Sequence, residues 1–295
     1  MRQSPAGLLF VMDVGNTNVV AGIYALPGRP PSHKALAGQA ALAKAGAPLA
    51  AWRFATDRSK TPDEYQSLLR GFLRQAGIAP SRVQGAILAS VVPALVPVME
   101  GLCLKLFGLP VMLVGPGLDL GLSVATRDPL EVGADRLVNA VAARARWSGP
   151  LVVLDFGTAT TVDAVSARGE YLGGAIAPGV LISAEALASR TAKLPRIEME
   201  RPARAIGRST IESMRSGIYH GTVGQVRELL GQVARELGGK PTVVATGGLS
   251  RWLPLKELGI HHSEPDLTLQ GLCLIWARNA PKHASKAPSR SPRVR

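Results

Sequence analysis

Two stretches of this chain place a carboxylate, a glycine and small hydroxyl or amide side chains directly after an apolar run. Asp13-Val14-Gly15-Asn16-Thr17-Asn18 follows Leu8 to Met12, and Asp155-Phe156-Gly157-Thr158-Ala159-Thr160-Thr161 follows Leu151 to Leu154. At the carboxyl end of a buried strand such a turn can hold a polyphosphate with its magnesium. Backbone N–H and hydroxyl groups donate to phosphate, glycine lets the backbone come close, and Asp13 faces the cation, usually through water. Alone, the first turn is equally what an ordinary hairpin uses, since Asp, Asn and Gly are common turn residues. The second copy, 142 positions on (13 to 155), weakens that reading, because ordinary turns have no reason to repeat this chemistry at matching places in two half-chains. Two phosphate-facing turns across a cleft are expected. A glycine pair in Thr246-Gly247-Gly248 would let a nucleotide pack against backbone at the far wall, and is by itself as well explained by a strand-to-helix turn.

Gly133-Ala134-Asp135-Arg136 opens a helical pattern. The helix dipole and Arg136 are both expected to favour the ionised form of Asp135, ready to accept a proton. The alternative is an Asp that merely stabilises its own helix start. No Gly-x-x-x-x-Gly-Lys-Ser/Thr occurs, which disfavours a P-loop kinase. His261-His262 lack a third ligand at useful spacing, and His33 and His283 fall in expected loops, so no histidine is assigned to a metal. Cys103 and Cys273 sit in apolar stretches without paired spacing and are expected as buried free thiols.

The elements that must carry these groups follow from periodicity. Each Asp-containing turn lies between two strand-like runs, with Val19 to Tyr24 returning after the first and Val162 to Val165 after the second. Gly and Asn are expected to supply left-handed positions in the first turn. Ala51 to Ala55, Ala86 to Ser90 and Val111 to Val114 are further strands, and Thr61-Pro62-Asp63-Glu64 predicts a helix start with a capping box. Leu130 to Trp147 has the spacing of an interdomain helix. In the second half, Tyr171 to Ile176 and Thr242 to Ala245 are strands, while Ser209 to Leu237 and Leu267 to Ala280 are helical. The result is an α/β chain with a duplicated fold. Domains are expected at 1–128 and 129–280, with an Ala/Pro/Gly-rich insertion at 27–50 and a disordered basic tail at 281–295.

The 295 residues suffice for two medium domains, and 46% hydrophobic with 4% aromatic content suits strands buried on both faces. The formal charge of +13 would raise nucleic acid as a partner, but the tail alone holds five of those charges and no acid, so none is expected. The longest charge-free stretch, Val83 to Met99, contains Pro93 and Pro97 and falls short of the ~20 apolar residues of a membrane span. With no export signal discernible, a cytoplasmic protein is expected.

As a set these motifs, with Ser90-Val91-Val92-Pro93, Gly173-Gly174-Ala175-Ile176-Ala177-Pro178-Gly179 and Thr191-Ala192-Lys193-Leu194-Pro195, resemble the type III pantothenate kinases over residues 8 to 277. The resemblance implies two ribonuclease-H-like, actin-like domains with an ATP cleft between them. It also implies transfer of the γ-phosphoryl of ATP to pantothenate, the first step toward coenzyme A. By position, Asp13, Val14, Gly15, Asn16, Thr17, Asn18, Val19 and Val20 would bind ATP phosphates and Thr158 would contact ATP. Asp135 would be the base; Gly133, Ala134, Asp135, Arg136 and Thr210 would contact pantothenate; Asp155 would hold potassium or ammonium. The family implies a homodimer, a magnesium–ATP substrate and a monovalent cation. Where it usually has a substrate-binding tyrosine this chain has Thr126, which leaves open another actin-like kinase acting on a sugar-type acceptor. A non-catalytic nucleic-acid-binding relative is the third alternative, disfavoured by the intact Asp13, Asp135 and Asp155.

Overall fold

The computed structural model of the chain describes residues 7–26 and 47–280. Most of the expected insertion, 27–46, and the expected tail, 281–295, lie outside these residues.

Leu8–Val14 (β1) is apolar at almost every position and buried on both faces, as a central strand must be. The first turn returns the chain as Asn18–Ala25 (β2), antiparallel to β1, and Ala50–Ala55 (β3) adds the edge. Pro62–Gln75 (α1) begins as expected, with the Thr61 side chain capping the Glu64 N–H while Glu64 accepts from the Thr61 backbone. The chain re-enters the sheet as Val83–Ser90 (β4), parallel to β1, and after Val96–Phe107 (α2) as Met112–Leu113 (β5). The strand order is β3-β2-β1-β4-β5.

Ser123–Val124 (β6) and Ala134–Arg146 (α3) lead into the second half. Leu151–Phe156 (β7), Ala159–Val165 (β8) and Glu170–Pro178 (β9) form an antiparallel meander. Val180–Arg190 (α4) and Thr210–Glu236 (α5) precede Thr242–Thr246 (β10), parallel to β7, then His262–Ser263 (β11) and Leu267–Asn279 (α6). The second sheet runs β11-β10-β7-β8-β9-β6. Without β6, and counted within its own half, this is again third, second, first, fourth, fifth strand, with the same antiparallel and parallel neighbours. The expected duplication is therefore present in the hydrogen bonding, and the architecture is a two-sheet α/β fold.

Phe10 and Met12 face Leu69 of α1 and Leu102 of α2 on one side of the first sheet, while Leu9 and Val11 face Val138 of α3 and Leu272 of α6 on the other. The opposite face of α3 packs Leu137 and Ala140 against Leu151 and Val153 of the second sheet. Helix α5 covers that sheet's far side through Tyr219, Val223 and Val226. Helix α3 thus touches both sheets, as an interdomain helix must. Helix α6 closes against it at Gly271, where a Cβ would run into the Val138 carbonyl. Cys103 and Cys273 are buried free thiols, and no described helix is long and apolar enough to cross a membrane.

Candidate active site

The first turn lies at the carboxyl end of β1, where open α/β sheets hold ligands. The Gly15 N–H donates to the Asn18 carbonyl at 3.0 Å, the Thr56 hydroxyl donates to the Gly15 carbonyl at 2.6 Å, and Arg58 Nη2 donates to Asn16 Oδ1 at 3.1 Å. The expected left-handed residues are not used: Gly15 does not have a positive φ, nor does any described non-glycine residue. Glycine instead eases space, because a Cβ at 15 would stand a tight 3.0 Å from the Asn18 carbonyl. Asp13 Oδ1 is enclosed and has no hydrogen-bond partner. Burial, then the charges of Asp135 and Asp155, push the Asp13 carboxyl well above its ordinary range, while Arg53 pulls it down.

The second turn mirrors the first, with the Gly157 N–H donating to the Ala159 carbonyl at 3.1 Å. The two turns meet: Thr17 Oγ1 and Thr158 Oγ1 lie 2.8 Å apart, joining the halves across the cleft. Asp155 Oδ2 accepts from Asn139 Nδ2 at 3.1 Å, and Asn139 is itself held by the Thr268 hydroxyl, which donates to Asn139 Oδ1 at 2.7 Å. Burial, reinforced by Asp135, pushes the Asp155 carboxyl up to about 7. The glycine pair stacks on this turn. Gly247 has φ +88, and a Cβ there would lie 2.5 Å from Asp155 Oδ1.

Between the turns stands the first turn of α3. Its Gly133 packs against Val91, whose N–H bonds to the Val14 carbonyl, so the helix start is fixed to the end of β1. Asp135 Oδ1 accepts from the Arg136 N–H at 2.8 Å. The helix N–H and Arg136 do lower the Asp135 carboxyl, as expected, but burial is the larger effect and the carboxyl is raised on balance. Arg136 turns away to Asp163, with Nη2 at 2.6 Å and Nε at 2.8 Å from Asp163 Oδ1. Asp163 is fully buried and also accepts from the Tyr171 hydroxyl at 2.7 Å and the Thr161 hydroxyl at 3.0 Å.

Thr126, just past β6, has an enclosed Oγ1 with no partner. Thr210 stands apart from the acid cluster. It opens α5 and lines a cavity of about 960 Å³ between α4 and α5, with Ser183, Leu187, Ser213, Met214 and Ile218, and none of Asp13, Asp135 or Asp155 borders that cavity. His261 serves the fold, its Nδ1 accepting the Val243 N–H, and His262 stacks on Trp147.

The model of one protein family, type III pantothenate kinase, matches residues 9–232. The chain belongs to this family. It is 44% identical over 272 residues to the type III pantothenate kinase of Syntrophotalea carbinolica, covering 92% of this chain and 99% of that protein. Identity to the Moorella thermoacetica type III pantothenate kinase is also 44%, over 92% of this chain and 100% of the relative. Among solved structures, a Campylobacter jejuni protein described as a Baf family transcriptional activator shares the fold at TM-score 0.53 and 17% identity, over 92% and 98% of the two chains.

In this pantothenate kinase the sequence reading missed Asn139, Asp163 and Arg53. Asp163 had a signal: a carboxylate inside the apolar run Val162 to Val165 needs a partner if that run is a buried strand. Asn139 had a similar one among the apolar residues of α3. Arg53 alternates with Trp52 and Phe54 as any edge-strand charge would, and carried none.

Proposed function

We propose that this kinase phosphorylates pantothenate to 4′-phosphopantothenate with Asp135 as general base. The observation that carries this is the convergence of three carboxylates, Asp13 from the first sheet, Asp155 from the second and Asp135 from the helix between them, where the two turns touch through Thr17 and Thr158. Asp13, Gly15, Asn16, Thr17, Asn18, Val20, Thr158, Gly247 and Gly248 line the place for ATP phosphates and nucleotide, while Val14 and Val19, buried in the core of the first sheet, offer it backbone alone. Asp135, raised by burial, takes the proton of the pantothenate primary hydroxyl as its oxygen bonds to the γ-phosphorus and the bond to the β-phosphate oxygen breaks, releasing ADP. Arg136, which is braced by Asp163, borders the acceptor side together with Gly133, Ala134 and Thr126 with its unpartnered hydroxyl, whereas Thr210, in the separate α4–α5 cavity, takes no part in the transfer within this chain.

The residues fit cations: Asp13 has an unpartnered enclosed oxygen, and Asp155 is held by a single amide while burial keeps its carboxyl at about 7. Magnesium facing Asp13, usually through water, and potassium or ammonium at Asp155 would neutralise phosphate and carboxylate charge there. A homodimer is supported by apolar side chains left exposed on β9 and α4, Leu172, Ile176, Leu181, Ile182 and Leu187, which a second copy would cover. Use of ATP and two reduced thiols agrees with the cytoplasm.

The test is a phosphoryl-transfer assay with ATP, magnesium and potassium, offering pantothenate beside a panel of sugars. Turnover confined to pantothenate is expected. Faster transfer to a sugar would overturn the acceptor assignment.

A further inference from the structure

Arg53 makes no hydrogen bond and no carboxylate ion pair among the described residues, although a carboxylate cluster lies near. Its neighbours Trp52 and Phe54 pack with Phe72 into the core on the α1 side of the first sheet. Arg53 therefore projects from the other face, the face turned toward the second domain. Across that face Arg53 is in register with Val20, and Val20 with Asp13. Two strand spacings separate Arg53 from Asp13, about 10 Å at the backbone.

The guanidinium spans to the opposite wall of the cleft. A Cβ built on Gly248 would lie 3.8 Å from Arg53 Nη1, with Cζ and Nη2 close behind. A solvated edge charge, the ordinary role of arginine on a strand like β3, would have no reason to lie against the other domain's glycine turn. The fork is rigid, always charged and left with free donors, which is the chemistry that binds phosphate oxygens in pairs. Its field reaches both Asp13 and Asp155, so its head is within electrostatic range of the place where the turns meet.

We propose that Arg53 is a phosphate-binding residue of this kinase, its guanidinium gripping the β- and γ-phosphate oxygens of ATP between the Asp13 turn and Gly248. The proposal rests on the placement of the phosphates between the two turns. It gives the cleft a cation that belongs to the chain, on the strand next to the hairpin, where the sequence motif itself contains only acids and neutral donors.

The experiment measures magnesium–ATP affinity by equilibrium titration and steady-state constants for both substrates in Arg53→Gln, Arg53→Lys and Asp13→Asn. Arg53 is exposed, so Arg53→Gln should melt within about 2 °C of the parent, in line with surface substitutions generally. Its ATP dissociation constant should rise tenfold or more, as loss of a charged hydrogen bond typically costs, while KM for pantothenate stays within twofold. Arg53→Lys should recover part of the loss, by charge without the fork. An ATP affinity reduced less than tenfold in Arg53→Gln overturns the proposal, as does full recovery of that variant at pH 9, which would mean that Arg53 only keeps Asp13 and Asp155 ionised. If Asp13→Asn weakens ATP binding and Arg53→Gln does not, only the role of Arg53 fails. If neither weakens it, the placement of the phosphates fails as well.

Discussion

Asp163 shows how one buried side chain sets the chemistry of another. With its Oδ1 taken by two nitrogens of Arg136 and the Tyr171 hydroxyl, it fixes the guanidinium of the residue next to Asp135. Arg136 still lowers the Asp135 carboxyl from there, but burial outweighs it and the carboxyl stays raised. A base whose proton affinity lies nearer working pH is a better base than a fully stabilised carboxylate. Replacing Asp163 by Ala would strand a guanidinium and a phenol, and breaking a buried pair from one side costs about 3–5 kcal/mol. Urea unfolding should show that loss. Asp163→Asn should keep more of the fold and raise KM for pantothenate, because Arg136 swings free. An Asp163→Ala protein with parental stability and KM would show that the network is incidental.

At the scale of elements, the glycine pair after β10 divides its labour. Gly247 must be glycine twice over, by its positive φ and by the passage of Asp155 beside it. Gly248 meets only Arg53, at ordinary contact distance. Gly247→Ala should therefore cost at least the ~1–2 kcal/mol of a left-handed alanine, and lower the melting temperature clearly. Gly248→Ala should leave it unchanged and act, if at all, on KM for ATP. Equal melting temperatures for the two variants would contradict this division. The same elements show what sequence conveys. Strand ends carrying Asp13 and Asp155 were legible because polar, glycine-containing turns interrupt long apolar runs, and the α1 start was legible because capping is local. The raised carboxyl of Asp135 was not legible because the groups that lower it, the helix N–H and Arg136, are local in sequence, while the burial that outweighs them comes from the packing of distant elements. Helix α4 and the short β6 and β11 escaped notice, since their stability comes from the strands and helices they lean on more than from their own pattern.

On the scale of the whole molecule, duplication builds two similar turns and a shared helix places the base between them. Bringing three carboxylates together costs stability unless something neutralises them. Asp13, Asp135 and Asp155 all have raised carboxyls in the folded chain. Their contribution is complete below the unfolded value near ~4 and is lost as pH rises through the folded values, about 7 for Asp155. Cations that bind the ionised cluster should then restore more stability at pH 8 than at pH 5.5. Melting temperatures with potassium and magnesium, against a bulky organic cation at matched ionic strength, measure this, and equal shifts at both pH values would contradict it. The central claim, that Asp135 accepts the proton of the attacking hydroxyl, is tested most directly by the turnover of Asp135→Asn. This substitution preserves shape and an oxygen to accept the Arg136 N–H but removes the base. The account predicts a folded protein with ATP affinity little changed and turnover reduced ~10²–10⁴-fold, the usual contribution of a general base. A folded Asp135→Asn protein that keeps more than about a tenth of parental turnover, well short of that contribution, would contradict it.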